Sequence, residues 1–157
     1  MKNTTLCYIE KNGKYLLLHR VKKEHDVNRD KWIGIGGKTE ENESPEECNA
    51  REIKEETGLT VGQCRYRGII TFVCDGFEGE YMHLFTTDCF SGQLHDCDEG
   101  ELCWVAKDRI FDLPIWTGDR IFLKLIEDPD TSFFSLKLVY AGDTLQSAVL
   151  NGKEITI

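Results

Sequence analysis

Long apolar runs are missing from this chain: none exceeds strand length, Tyr15–Leu18 being typical, whereas a membrane helix needs roughly 18 such residues. The start, Met1-Lys2-Asn3-Thr4-Thr5, lacks the apolar stretch of a secretory leader, which predicts a cytoplasmic protein. Among seven cysteines (Cys7, Cys48, Cys64, Cys74, Cys89, Cys97 and Cys103) there is no Cys-x-x-Cys pair. That spacing suits neither a zinc ribbon nor a disulfide framework, and points instead to small buried thiols in a reducing compartment. Positive charge is in deficit, with 19 Lys and Arg against 28 Asp and Glu and a net charge of −9. A basic surface tracking duplex nucleic acid is thereby excluded. An anionic small substrate is not, because a divalent cation can invert the local sign.

What remains is ordinary globular composition over 157 residues, 40% apolar and 30% charged, enough for one domain spanning residues 1–157. Leu6–Ile9 and Tyr15–Leu18 flank Lys11-Asn12-Gly13-Lys14, a hairpin signal. A loop from Lys22 to Lys31 leads to an extended piece, Trp32–Gly37. Ser44, Pro45 and Glu47 form a helix start and Gly58 a left-handed stop, which predicts a helix over 44–57. Strands are expected at Ile69–Cys74, Tyr81–Phe90 and Leu102–Ala106. A helix is expected over Gly118–Glu127, and a last hairpin from Phe133–Tyr140 to Leu145–Leu150. The sum is an α/β (α+β) fold built on a mixed sheet.

Acidity concentrates in one place. Residues 38–56 hold eight of the 28 acids. At about 100° per residue, Glu52, Glu55 and Glu56 share one arc of about 100° on the helix, with Arg51 able to brace Glu55. Ala50, Ile53 and Thr57 form a separate face suited to packing on a sheet. Like charges on one stripe repel unless something positive compensates. Hard oxygen ligands crowded there, just after a glycine turn, suit Mg²⁺ or Mn²⁺ bridging carboxylates and phosphates.

These residues carry a resemblance. Gly37-x5-Glu43-x7-Arg51-Glu52-Ile53-x-Glu55-Glu56-x-Gly58-Leu59 resembles the signature of Nudix hydrolases at every defined position, over residues 37–59. The resemblance implies an α/β/α sandwich around a central mixed sheet, and hydrolysis of nucleoside diphosphates linked to a further group. It also implies that Glu52, Glu55, Glu56 and the Gly36 carbonyl bind the metal, Mg²⁺ or alternatively Mn²⁺. Arg51 and Glu43 would orient the loop against the helix, and Gly37 would make the turn. A further metal ligand or base is expected among Asp96, Asp98, Glu99 and Glu101, with Glu99 the best placed.

Signals of the NADH, coenzyme A, ADP-ribose and diadenosine polyphosphate branches are absent. Trp32-Ile33-Gly34-Ile35-Gly36-Gly37-Lys38 and Leu113-Pro114-Ile115-Trp116-Thr117-Gly118-Asp119 are instead similar to the branch that includes MutT and the oxidised-purine triphosphatases. By that similarity Trp116 stacks on the purine, Asp119 reads its edge, and Arg20 and, more weakly, Lys23 contact phosphate. Two positions depart from the pattern: Ile33 replaces a base-contacting asparagine and Gly118 replaces an acid. The expected activity is Mg²⁺-dependent cleavage of nucleoside triphosphates such as 8-oxo-dGTP to the monophosphate and pyrophosphate, by a monomer or homodimer. The alternatives are a nucleoside diphosphate sugar pyrophosphatase and a Nudix-like module that binds nucleotide without cleaving it.

Overall fold

Strands β1 (Lys2–Lys11) and β2 (Lys14–His19) form the expected hairpin, with Asn12 and Gly13 at φ 51° and 75° in the turn. They read as unbroken apolar runs because both of their faces are covered. Leu6, Tyr8, Tyr15 and Leu17 enter one core, and Cys7, Ile9, Leu16 and Leu18 the other. The computed structural model describes residues 1–157. Its other strands are β3 (Trp32–Ile33), β4 (Thr60–Val61), β5 (Arg65–Cys74), β6 (Glu80–Thr87), β7 (Phe90–Ser91), β8 (Glu101–Ala106), β9 (Phe134–Ala141), β10 (Thr144–Leu150) and β11 (Lys153–Ile155). The helices are α1 (Pro45–Thr57) and α2 (Asp119–Glu127).

Nine strands make one mixed sheet in the order β11-β10-β9-β5-β6-β1-β2-β3, with β8 on the free edge of β2; β4 and β7 pair separately. The β1–β6 and β5–β9 pairings are parallel. Helix α2 closes the larger core through Phe122, Leu123 and Ile126, and α1 closes the smaller one through Ile53. This is the expected sandwich.

Several boundaries differ from the sequence reading; β5, for one, starts at Arg65 rather than Ile69. β1 starts at Lys2 rather than Leu6, because its polar Asn3-Thr4-Thr5 run pairs with β6 and Thr4 donates to Glu80 at 3.1 Å. The strand expected to run to Phe90 stops at Thr87, whose hydroxyl accepts from Cys89 N and donates to Gln63 O, turning the chain. β11, unforeseen, adds to β10 at the sheet edge.

One irregularity positions the site. β1 and β2 pair only from Ile9 to Lys11 and from Lys14 to Leu16, then diverge. The segment from Trp32 to Lys38 enters the split, bonded to β2 through β3 and to β1 through Ile35 and Gly37.

Candidate active site

Helix α1 forms as its ends dictate. Ser44 and Glu47 exchange capping-box bonds of 3.0 Å each, and Gly58 ends the helix at φ 84°. Its buried face, however, differs from the expected one. Cys48, Asn49, Ile53, Glu56 and Thr57 are buried while Ala50 is exposed. On the helical wheel the buried arc is therefore centred near Glu56, and the acidic stripe is not separate from it. Acidity runs as a gradient, from buried Glu56 through half-buried Glu52 to exposed Glu55.

The Gly36-Gly37 turn faces this stripe. A Cβ at Gly37 would lie 2.4 Å from the Glu52 carboxyl carbon, so any other residue there would push that carboxylate from its place. The carbonyls of Ile35 and Gly37 accept from Cys7 N and Thr5 N, whereas the Gly36 carbonyl between them accepts no hydrogen bond and remains available to a ligand.

Arg51 organises the exposed half of the cluster. Its Nε and Nη2 donate to both oxygens of Glu43 at 2.6 and 2.9 Å, and Nη2 also to Lys38 O. Its Nη1 donates to Glu52 at 2.9 Å and Glu55 at 3.1 Å. The guanidinium hydrogen bonds hold the Glu43 carboxyl down at about 2. Glu52 moves the other way, raised by burial against the pull of Arg51.

Glu56 has no such cation bonded to it. Its Oε2 is fully buried without a hydrogen-bond partner. Burial first, and then the charge of nearby Glu99, push its carboxyl well above the ordinary range. Glu99 itself is clamped: Arg20 Nη1 donates to Oε2 at 2.6 Å and Lys23 Nζ to Oε1 at 2.8 Å. Burial opposes ionisation of Glu99, but the two cations outweigh it and lower its pKa. The other loop acids, Asp96, Asp98 and Glu101, are exposed, and no charged partner holds them.

Arg20 has a partner that the sequence did not suggest, Asp26, which accepts from its Nε at 2.7 Å. Both of its side-chain hydrogen bonds go to carboxylates, so the side chain braces Glu99 beside Glu56. As placed, no three acidic side chains ring a common point. The arrangement is nevertheless one that a divalent cation fits: an orphaned buried carboxylate oxygen, an unpaired carbonyl and further carboxylates within one patch.

The base-side residues lie on a second wall. Trp32 N donates to Pro114 O at 2.9 Å, tying β3 to the segment that carries Trp116 and Asp119. Trp116 is 4% exposed and packs T-shaped on Phe72 and Tyr140. Its Nε1 donates to Asn28 Oδ1 at 2.7 Å. Asp119 is buried at the start of α2, its carboxyl pushed up to about 8 by burial, against a smaller opposing effect of Lys31. Its charge, when present, also disfavours ionisation of Tyr8 and Tyr140. Sequence reasoning missed Asn28, Lys31 and Asp26, because each lies in the aperiodic loop before β3, where only contacts reveal a role.

A cavity of about 830 Å³ opens elsewhere, among residues such as Arg65, Arg67, Thr86 and Lys107, and contains none of these groups. Arg65 and Arg67 there donate to carbonyls at the C-terminal end of α2 and just beyond, a structural use.

Comparison with known proteins places this geometry among relatives. A NUDIX domain model matches residues 2–126. An uncharacterised Nudix hydrolase of Bacillus subtilis (strain 168), YvcI, is 32% identical over 76% of this chain and 75% of its own. The oxidised purine nucleoside triphosphate hydrolase of Danio rerio is 33% identical over 80% and 79%. Among solved structures, a MutT protein from Bacillus halodurans superposes with a TM-score of 0.84 at 27% identity, covering 98% of this chain and 99% of that one.

Proposed function

The chain belongs to the Nudix hydrolase family, and from that premise we propose that it is a divalent-cation-dependent pyrophosphohydrolase of purine nucleoside triphosphates, 8-oxo-dGTP foremost. The observation that carries this reading is the continuity of the two walls. The segment from Trp32 to Lys38 bears the Gly36-Gly37 turn against the acids and bonds to the Trp116 and Asp119 segment. One nucleotide could thus lay its phosphates on the first wall and its base on the second. The named activities of the Danio rerio relative and of a putative 8-oxo-dGTP diphosphatase of Mycobacterium tuberculosis, 31% identical over 66% of this chain, agree with it.

Glu52, Glu55, Glu56, Glu99 and the Gly36 carbonyl would hold Mg²⁺ or Mn²⁺, which when bound screens phosphate charge and lowers the pKa of a water. The chain's own groups prepare that site. Arg51 and Glu43 fix the turn against α1, and Arg20 and Lys23 keep Glu99 ionised next to Glu56. Trp116 supplies an aromatic surface, and Asp119, neutral at physiological pH, can donate and accept on a base edge. Seven free thiols suit a reducing cytoplasm.

The test is a panel of 8-oxo-dGTP, dGTP, dATP and a nucleoside diphosphate sugar, read by product analysis. Pyrophosphate should be released from purine triphosphates, with negligible turnover in excess chelator and recovery on adding Mg²⁺ or Mn²⁺. Chelator-resistant turnover would overturn the metal assignment, and preferential cleavage of the sugar nucleotide would overturn the substrate.

A second expectation concerns pH. The folded pKa of Asp119 is raised, so its neutral form dominates below about 8 and is lost as pH rises through that value. KM for a guanine triphosphate should therefore climb above pH 8 in the wild type. Asp119→Asn, which keeps a donor and an acceptor, should flatten that climb. An identical pH profile in both proteins would show that Asp119 does not touch the base.

A further inference from the structure

One cation on the base-side wall has no part in the reading above. Lys31 ends the loop before β3, and its side chain is only 17% exposed. Its ammonium lies 5.0 Å from the centroid of the Trp116 ring, over the ring, and 3.6 Å from Asp143 Oδ2 in the turn between β9 and β10. The Asp119 carboxyl is near enough to feel its charge. Lys31 therefore stands where the aromatic platform, the buried acid and the β9–β10 turn meet. A lysine on a solvated surface has no reason to be held there. The ammonium gives up much of its hydration, and the ring quadrupole with the Asp143 carboxylate replaces it.

A purine stacking on the side of Trp116 that Lys31 covers must move the ammonium off the ring. The flexible four-carbon stem allows that shift while the Cα stays fixed in the loop, so the ammonium moves to the periphery of the base. There it presents N–H donors and no acceptor. The neighbouring Ile33 offers neither. Guanine and 8-oxoguanine both present the O6 acceptor, although N7 accepts in guanine and carries a hydrogen in 8-oxoguanine, whereas adenine places its N6 amine donor where O6 would be. A charged donor is paired by the first and left facing another donor by the second.

We propose that Lys31 is a specificity-determining residue that selects purines carrying a carbonyl at position 6 over those carrying an amine. The proposal rests on the reading that the site takes a purine nucleotide. It assigns to the loop before β3 the donor that Ile33 cannot supply. A site built to pair a polar group rejects the analogue that cannot pair it much more strongly than an apolar pocket rejects a misfit.

The test uses binding, so that it does not depend on turnover. Affinities of 8-oxo-dGMP, dGMP and dAMP are measured by titration calorimetry in chelator for the wild type, Lys31→Met and Lys31→Arg. Lys31→Met keeps length and packing but removes charge and donors; Lys31→Arg keeps both. Wild type should bind the two guanine nucleotides at least tenfold more tightly than dAMP. Lys31→Met should lose tenfold or more for both guanine nucleotides and less than twofold for dAMP, and Lys31→Arg should retain the preference within threefold. If Lys31→Met shifts all three by the same factor, Lys31 only covers the ring and the proposal fails. It fails equally if none shifts. A wild type that binds these nucleotides yet hydrolyses no purine triphosphate would refute the proposed activity while the same titrations still score Lys31. A wild type that binds no purine refutes both.

Discussion

Replacing Glu56 by glutamine should lower kcat about a thousandfold, equivalent to about 4 kcal/mol of transition-state stabilisation, while the metal-free protein melts at the same temperature or higher. The two effects separate because the carboxylate is unfavourable to the fold and needed for the chemistry. Its Oε2 is buried without a partner and Glu99 is close by. Removing the acid relieves repulsion and leaves an amide that can donate to a neighbouring carboxylate. The sign of the pH dependence follows from the raised pKa. A group of this kind contributes most to stability below its unfolded value, and the contribution is lost as pH rises toward the folded value. The stabilisation by Glu56→Gln should therefore be small at pH 5 and larger at pH 8. Melting curves at both pH values and steady-state kinetics check this. Activity lost only through a lower melting temperature would make Glu56 a structural residue.

Arg51→Met should damage both stability and rate. One guanidinium satisfies Glu43 bidentately and also Glu52, Glu55 and Lys38 O. Its removal leaves three carboxylates facing one another at the mouth of the site. We expect a melting temperature lower by roughly 5–10 °C and kcat/KM lower by about 10–100-fold, since the ligating carboxylates lose their orientation. Glu43 has a lowered folded pKa, so what it contributes is present above the ordinary carboxylate range and fades as pH falls toward about 2. The gap in melting temperature between wild type and variant should accordingly narrow below pH 4. Arg51→Lys restores charge but not the fork, and should recover stability better than rate. An unchanged melting temperature in Arg51→Met would show that the network carries no stability.

These two residues also mark how far sequence reaches. The capping box, the Gly58 stop and the hairpin turn at Asn12-Gly13 are local devices, fixed by residues within a few positions, and all form as the sequence indicates. So does the contact of Arg51 with Glu55, one turn apart. The burial of Glu56 was not legible, because a helical wheel says which residues share a face and nothing of what covers that face. Only the packing of α1 on β1 and the approach of the Glu99 loop bury it. The same holds for Arg20. The family resemblance implied a phosphate contact, and nothing in the sequence signalled that Asp26 and Glu99, the latter 79 positions away, hold its side chain. β11 escaped notice because Lys153-Glu154-Ile155 has no periodicity and gains its strand from the partner it pairs with.

The NUDIX match ends at residue 126, but the architecture does not. Tyr140, on β9, accepts a hydrogen bond from Gly118 N at the start of α2 and packs against Trp116. Leu136 and Leu138 of the same strand fill the larger core. β9 is also the parallel neighbour of β5, paired from Gly68↔Phe134 to Cys74↔Tyr140. A chain cut where the family pattern ends would bare β5 from Gly68 to Cys74 as an open, apolar edge ready to pair with a second molecule. It would also strip the indole of one of its walls. The residues after 126 are thus neither tail nor ornament. They are the flank on which the catalytic half leans, and any minimal version of this enzyme has to include them.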